Sequence, residues 1–122
     1  MTQLRPVLLT FYLRLFVNDV VPVVGFTSAN YVEPAGSWYR PILLIAWGSP
    51  FQNAALQAEI DEVIRTFTAA GSVVAESVYG YFVTDPTGLL CWAERGPAAP
   101  YPMDAAGKSV SVLPRLMDGL LC

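Results

Sequence analysis

The chemically most capable residues of the chain are three acids close together, Glu59, Asp61 and Glu62. Three carboxylates this close can bind a hard cation, but the alternating oxygen ligands and the glycine of a calcium-binding loop are missing. The chain contains no histidine, which removes the usual general base near neutral pH and every nucleophile–histidine pair. We therefore expect the acids to form a solvated face. We assign no catalytic residue, no cofactor and no metal, and predict that the protein is not an enzyme.

A second candidate is the segment Ala106–Ser109, which reads AGKS and ends like a phosphate-binding loop. That loop requires a glycine at position 102, where this chain has Pro102, and a helix after it. The residues that follow, Ser109–Leu113, alternate as a strand does. We predict a polar turn, with no catalytic role for Lys108 or Ser109.

The two cysteines, Cys91 and Cys122, have no metal-site spacing. Cys91 lies in a predicted strand. The prediction is therefore a buried thiol at Cys91 and a free thiol at Cys122. A disulfide between them is the alternative, and spacing alone leaves it open.

The composition is unusually apolar, with 54% hydrophobic and only 14% charged residues and a mean hydropathy of +0.45. No membrane span explains it, because the most apolar run, Val7–Phe26, is interrupted by Arg14, Asp19 and Pro22. The remaining explanation is apolar surface covered by other protein. We therefore expect an obligate oligomer or a component of an assembly.

The net charge of −3 and the scattered Lys and Arg residues argue against direct binding to nucleic acid. Large aromatic side chains near predicted loops, Trp38, Tyr39 and Tyr101, are candidate interface anchors, because aromatics are enriched at buried protein contacts. Core packing is the alternative for each of them. A stacking platform for sugars or bases is a further alternative.

The clearest structural signal is a β-hairpin. Val78–Thr84 is almost entirely β-branched or aromatic, and Leu89–Glu94 returns after the turn Asp85–Gly88. The aspartate can accept from the amides of the turn, and the glycine can take a positive φ and start the return strand with a bulge. The hairpin predicts a sheet and specifies no chemistry.

Other segments support the same class. Phe11–Val17 alternates with the period of a strand, and Ile42–Trp47 is continuously apolar, as in a strand covered on both faces. Ser109–Leu113 forms a last strand that Pro114 confines to an edge or ends. The Pro-, Ala- and Gly-rich stretch Gly96–Gly107 should be a surface loop.

The region Phe51–Ala70 is ambiguous. Apolar residues fall at helical spacing, and Asn53 can cap a helix, so the pattern favours a helix over Asn53–Ile60. Beyond it the β-branched residues leave helix and strand open. The overall prediction is a mainly β domain, a β-sandwich or barrel, with room for one short helix. It comprises an N-terminal arm (1–10), a β-rich domain (11–117) and a C-terminal tail (118–122).

Two motifs resemble those of small structural proteins of tailed bacteriophages. Leu13–Asp19 (LRLFVND), with Pro22 after it, resembles their L-x-L-F-x-N-D/N-x-x-P signature. Val78–Asp85 (VYGYFVTD), with Leu90–Arg95 (LCWAER), resembles their V-Y-G-Y-Y-V-T-D…L-x-W-A-E-R hairpin. In that family the segment before the hairpin is extended, which favours a strand over Val63–Ala69.

The resemblance implies a virion component, in first place a capsid decoration (cement) protein that bridges capsomers on the capsid surface. A tail or neck protein is the close alternative. The implied partners are the major capsid protein or other virion proteins and further copies of this chain, with a trimer as the preferred state. An alternative from a different functional class is a β-module that binds carbohydrate. An exposed aromatic cleft in a monomeric protein would distinguish this module from a virion component.

Overall fold

The computed structural model describes residues 11–49, 51–54, 58–71 and 75–117. The predicted N-terminal arm (1–10) and C-terminal tail (118–122) lie outside them. Within the described residues the chain is mainly β, as predicted, and its one helical element is the 3-10 turn Ser28–Asn30. The strands are β1 (Phe11–Phe16), β2 (Ile42–Leu44), β3 (Phe51–Gln52), β4 (Ala58–Asp61), β5 (Arg65–Thr68), β6 (Ser77–Val78), β7 (Gly80–Thr84), β8 (Leu90–Arg95), β9 (Tyr101–Pro102), β10 (Ser109–Val112) and β11 (Arg115–Met117).

The strands form several small antiparallel sheets, an arrangement consistent with a β-sandwich or barrel-like fold. The largest sheet has the order β2-β1-β7-β8, and a three-stranded sheet has the order β11-β4-β3. The strands β5 and β10 form one two-stranded pair, and β6 and β9 form another. All pairings are antiparallel.

The predicted hairpin is confirmed and forms β7 and β8. Asp85 Oδ1 accepts from the backbone amides of Thr87 (2.9 Å) and Leu89 (3.0 Å). Gly88 has a φ of +93°, and the register shifts between Val83 and Thr84. The turn chemistry that the sequence specifies therefore sets both the reversal of the chain and the bulge after it.

The core lies on both faces of the four-stranded sheet. On one face the alternating residues Phe11, Leu13 and Leu15 of β1 join the larger apolar cluster, as the period of two predicts. On the other face Phe16 packs with Tyr31 and Phe82 in a second, smaller cluster. Because both faces of β7 are covered, all five of its residues are buried.

The prediction for Ile42–Trp47 was wrong. Only Ile42–Leu44 is a strand, and it lies at the edge of the four-stranded sheet. Leu43 is exposed, and Ile45 just beyond the strand retains 73% of its accessible surface. A continuous apolar run does not distinguish a strand buried on both faces from an edge strand that shows apolar side chains to its surroundings.

The helix favoured over Asn53–Ile60 was also wrong. Ala58–Asp61 is the strand β4, which pairs with β3 on one side and with β11 on the other; residues 55–57 lie outside the described part. Strand pairing overrides the helical spacing of the apolar residues here. Arg65–Thr68 is the strand β5, as the resemblance favoured.

Two strands of the C-terminal third were not predicted. The loop Gly96–Gly107 contains β9, which pairs with β6, and Met103 next to β9 is fully buried. After Pro114 the chain re-enters a sheet as β11. Both strands are too short for a periodic pattern in the sequence.

Candidate functional site

A group of exposed aliphatic side chains is the first candidate site. Leu43 in β2, Ile45 just beyond that strand, and Val63 and Ile64 between β4 and β5 are all exposed, and we call these four side chains the aliphatic surface. Ile45 and Ile64 retain 73% and 68% of their accessible surface. Exposed groups of branched aliphatic side chains are typical of protein contact sites.

A buried carboxylate holds these two segments together. Glu62, only 5% exposed, accepts from the backbone amides of Ala46 (3.0 Å) and Val63 (2.9 Å). Arg65 donates to both of its oxygens, from Nε at 2.8 Å and from Nη2 at 2.6 Å. Burial alone raises the pKa of Glu62, but these hydrogen bonds outweigh it and hold the pKa below its usual value. The clamp of Glu62 therefore orders the backbone on either side of the aliphatic surface.

The predicted solvated face of acids was wrong for two of its three members. Glu59 is 4% exposed, and Glu62 is buried as described above. Asp61 is half-buried. Carboxylates are buried at this level only when hydrogen-bond donors or cations compensate the lost hydration, and here both do.

Glu59 and Asp61 belong to a second polar cluster with Glu94 and Arg115. Arg115 binds Glu94 through two hydrogen bonds, Nε to Oε2 at 2.6 Å and Nη2 to Oε1 at 2.5 Å. Glu94 also accepts from Trp92 Nε1 (2.9 Å) and from the Tyr81 hydroxyl. The carboxyls of Glu59 and Asp61 hydrogen-bond to each other. Apart from Asp61 Oδ1, which has no hydrogen-bond partner among the described residues, these carboxyls are held by their neighbours, and the cluster is built as a structural brace.

The third feature is an open groove of about 430 Å³ beside β8. One wall is the loop Pro22–Phe26, in which Val24 is fully exposed, and the other wall is Leu90–Ala93. Tyr31 contributes to the lining. This loop contains a turn, in which the Phe26 amide donates to the Val23 carbonyl.

The aromatic interface candidates all turn largely inward. Trp38 packs against the larger core cluster and lies so close to Gly36 that an added Cβ there would be 2.2 Å from its indole nitrogen. The Tyr39 hydroxyl donates to Glu33 Oε1 at 2.5 Å, and burial raises the pKa of Tyr39. The Tyr101 hydroxyl accepts from a backbone amide of its own loop at 3.1 Å. The role of all three in an interface stays a prediction.

The sequence reasoning missed the aliphatic surface. Leu43 and Ile45 belong to an apolar run that was predicted to be covered on both faces, and only the edge position of β2 shows that they face outward. Val63 and Ile64 lie in the region that the sequence left open between helix and strand. The sequence indicated an exposed apolar surface only through its overall excess of apolar residues, which does not show where that surface lies.

The turn containing Lys108 is the predicted polar turn. The Lys108 amide donates to the Ala105 carbonyl at 3.2 Å, Gly107 has a φ of +93°, and β10 follows at once. Cys91 is buried, as predicted, but it is disulfide-bonded, so the thiol predicted there was wrong. Cys122 lies outside the described residues.

Within the described part of the chain no three His, Cys, Asp or Glu side chains are grouped so that they can hold a metal ion. No helix in that part is long and apolar enough to cross a membrane. The chain matches no protein-family model, no curated protein and no solved structure.

Proposed function

We propose that this protein is a non-enzymatic structural component of a bacteriophage particle, and that it serves as a capsid decoration protein. The observation that carries the proposal is the aliphatic surface, which the Glu62 clamp holds in place. The two motifs that resemble phage structural proteins add support, because they form the adjacent strands β1, β7 and β8.

The physical basis is burial of this surface against other protein. Removing apolar surface from water contributes roughly 25 cal/mol per Å². A protein that binds only the assembled shell stabilises the shell by mass action, without an active site. Self-association into a trimer would multiply the number of such contacts on one particle.

Among the described residues, the exposed large hydrophobic side chains are aliphatic except for Phe51. Sugars are bound by stacking on exposed aromatic rings, whereas aliphatic surfaces suit protein partners. This observation favours a virion contact over the carbohydrate-binding alternative.

The location on the particle is tested with virions purified from a phage that encodes this chain. We expect mass spectrometry to detect the chain, and gold-labelled antibodies against it to decorate the shell in electron micrographs. Label confined to the tail or neck would replace the decoration role with the alternative. Virions free of the chain would refute the proposal as a whole.

The role of the aliphatic surface is tested by Ile45→Lys. We expect wild-type protein to be oligomeric in size-exclusion chromatography with light scattering, and the variant to dissociate to monomers and to lose binding to shells that lack the protein. Ala106→Lys is the control, because Ala106 is exposed in the polar turn before β10. A monomeric wild type without affinity for shells would contradict the proposal.

A further inference from the structure

Three carboxylates surround one guanidinium where two sheets meet. Glu59 and Asp61 lie on β4 and Arg115 on β11 of the three-stranded sheet, and Glu94 lies on β8 of the four-stranded sheet. Arg115 binds Glu94 bidentately, and its Nη1 lies 3.6 Å from Glu59 Oε2. The guanidinium therefore joins the two sheets through one carboxylate on each.

The other hydrogen-bond donor in the cluster stabilises the ionised form of Glu59 and not that of Asp61. Asn53 Nδ2 donates to Glu59 Oε1 at 3.0 Å. In the part of the chain that the structure describes, Asp61 Oδ1 is buried with no hydrogen-bond partner. Leaving an ionised oxygen in that position is costly, because no hydrogen-bond donor among the described residues compensates the charge.

The hydrogen bond between Glu59 and Asp61 requires a proton, because two ionised carboxylates have no hydrogen to share. Burial, followed by the hydrogen bond and the charge of Glu59, raises the pKa of Asp61 to about 6. The same hydrogen bond is the leading cause of the lowered pKa of Glu59. The geometry and the charges thus place the shared proton on Asp61.

We propose that Asp61 is a pH-sensitive latch between the two sheets. When Asp61 is protonated, it hydrogen-bonds to Glu59, and only two ionised carboxylates, Glu59 and Glu94, face the Arg115 guanidinium. Ionised, it adds a third negative charge, and the contact between the sheets loosens. The titratable or charged groups that face it are Glu59 on its own strand, Arg115 on β11, Glu94 on β8 and, bonded to Glu94, Tyr81 on β7. The latch is a property of the fold and does not depend on the proposed function.

The sign follows from proton linkage. The pKa of Asp61 is raised from 3.8 to about 6 on folding. Its contribution to stability is therefore complete below about pH 4 and is lost as the pH rises through 6. The pKa values of Glu59 and Glu94 are lowered on folding, so their contributions to stability change in the opposite direction and are lost as the pH falls. A variant that lacks only the Asp61 titration separates the two effects.

The first measurement is a carboxyl carbon NMR titration of the wild-type protein, which needs no variant. We expect Asp61 to titrate near pH 6, and the backbone amides of β4 and β11 to exchange faster, after correction for intrinsic rates, at pH 7.5 than at pH 5. An Asp61 that titrates near pH 4 would overturn the proposal, and so would exchange that is equally slow at both pH values.

The second measurement compares Asp61→Asn with the wild type in urea unfolding from pH 4.5 to 7.5. The asparagine amide donates to Glu59 at every pH. We expect the folded-to-unfolded ratio of the variant, relative to wild type, to rise about 25-fold across this range, because the wild type loses a factor of about ten for each pH unit between 4.5 and the folded-state pKa of about 6. Asp104→Asn, on the exposed carboxylate 3.8 Å from Lys108, is the control and should show no such rise. A relative ratio for Asp61→Asn that stays constant with pH would refute the latch.

Discussion

At the scale of single residues, Glu62 shows how a buried charge can order a surface. Its carboxylate is fully used by two backbone amides and the Arg65 guanidinium. A buried ion pair contributes little net stability compared with an apolar replacement, but removing one partner leaves an uncompensated charge. We infer that its value here lies in fixing the backbone near Ile45 and Val63.

The matching prediction concerns Glu62→Gln, which preserves shape and removes the charge. We expect a loss of about 1–3 kcal/mol in unfolding free energy at pH 7, because charge-assisted hydrogen bonds from Arg65 are lost. The pKa of Glu62 is lowered on folding from 4.5, so its contribution is present above that pH and is lost as the pH falls. Urea unfolding at pH 7 and pH 3.5 measures the difference.

Asp104→Asn serves as the control for this experiment too, because Asp104 and Lys108 are both about half-exposed. Exposed pairs of this kind contribute between 0 and about 1 kcal/mol. If Glu62→Gln were no more destabilising than Asp104→Asn, the clamp would have no energetic role.

At the scale of elements, the four-stranded sheet depends on a close approach at Gly80 in β7. A Cβ added there would lie 2.2 Å from the Glu94 carbonyl oxygen and 2.6 Å from the Phe16 ring. Both neighbours are constrained, the oxygen by the β7–β8 ladder and the ring by the smaller core cluster. Glycine is therefore required here because of space.

We predict that Gly80→Ala lowers the unfolding free energy by about 3 kcal/mol, at the upper end of the range for overpacking in a close-packed interior. Gly88→Ala is the matched comparison, since it has open space but a φ of +93°. The cost of that backbone conformation is about 1–2 kcal/mol for a residue with a side chain. Thermal and urea unfolding rank the two variants. An equal or smaller loss for Gly80→Ala would show that β7 and β8 can separate to admit the methyl group.

At the scale of the whole molecule, polar clusters connect sheets that share little continuous hydrogen bonding. Arg115 joins the three-stranded sheet to Glu94 of the four-stranded sheet. Arg14 joins β1 to the loop after the 3-10 turn through Glu33, with both oxygens 3.2 Å from Nη1. Small sheets that each bury few apolar residues gain a specific arrangement from such contacts.

We therefore predict that Arg115→Ala lowers the unfolding free energy by about 2 kcal/mol, because it leaves Glu94 and Glu59 without their cation. The value is reduced from that of a fully buried pair, since the Arg115 side chain is one-third exposed. Lys108→Ala removes an exposed cation and should change stability by less than about 1 kcal/mol. Indistinguishable urea midpoints for the two variants would contradict the bridging role.

The sequence predicted those parts of the fold that local chemistry determines. The β7–β8 hairpin follows from its turn residues Asp85 and Gly88, and β1 follows from its alternation, because both signals act between near neighbours in the chain. The edge position of β2 and the strand state of Ala58–Asp61 depend on partners far away in sequence, so the local pattern was misleading in both cases.

For the candidate site the division is similar. Composition alone determined that this chain has apolar side chains in excess and charges in deficit, since those are sums over residues. Only the tertiary structure decided that Ile45 and Ile64 carry part of this excess on the outside. It likewise decided that Glu59, Asp61 and Glu94 meet around Arg115, because burial and charge pairing depend on which strands become neighbours.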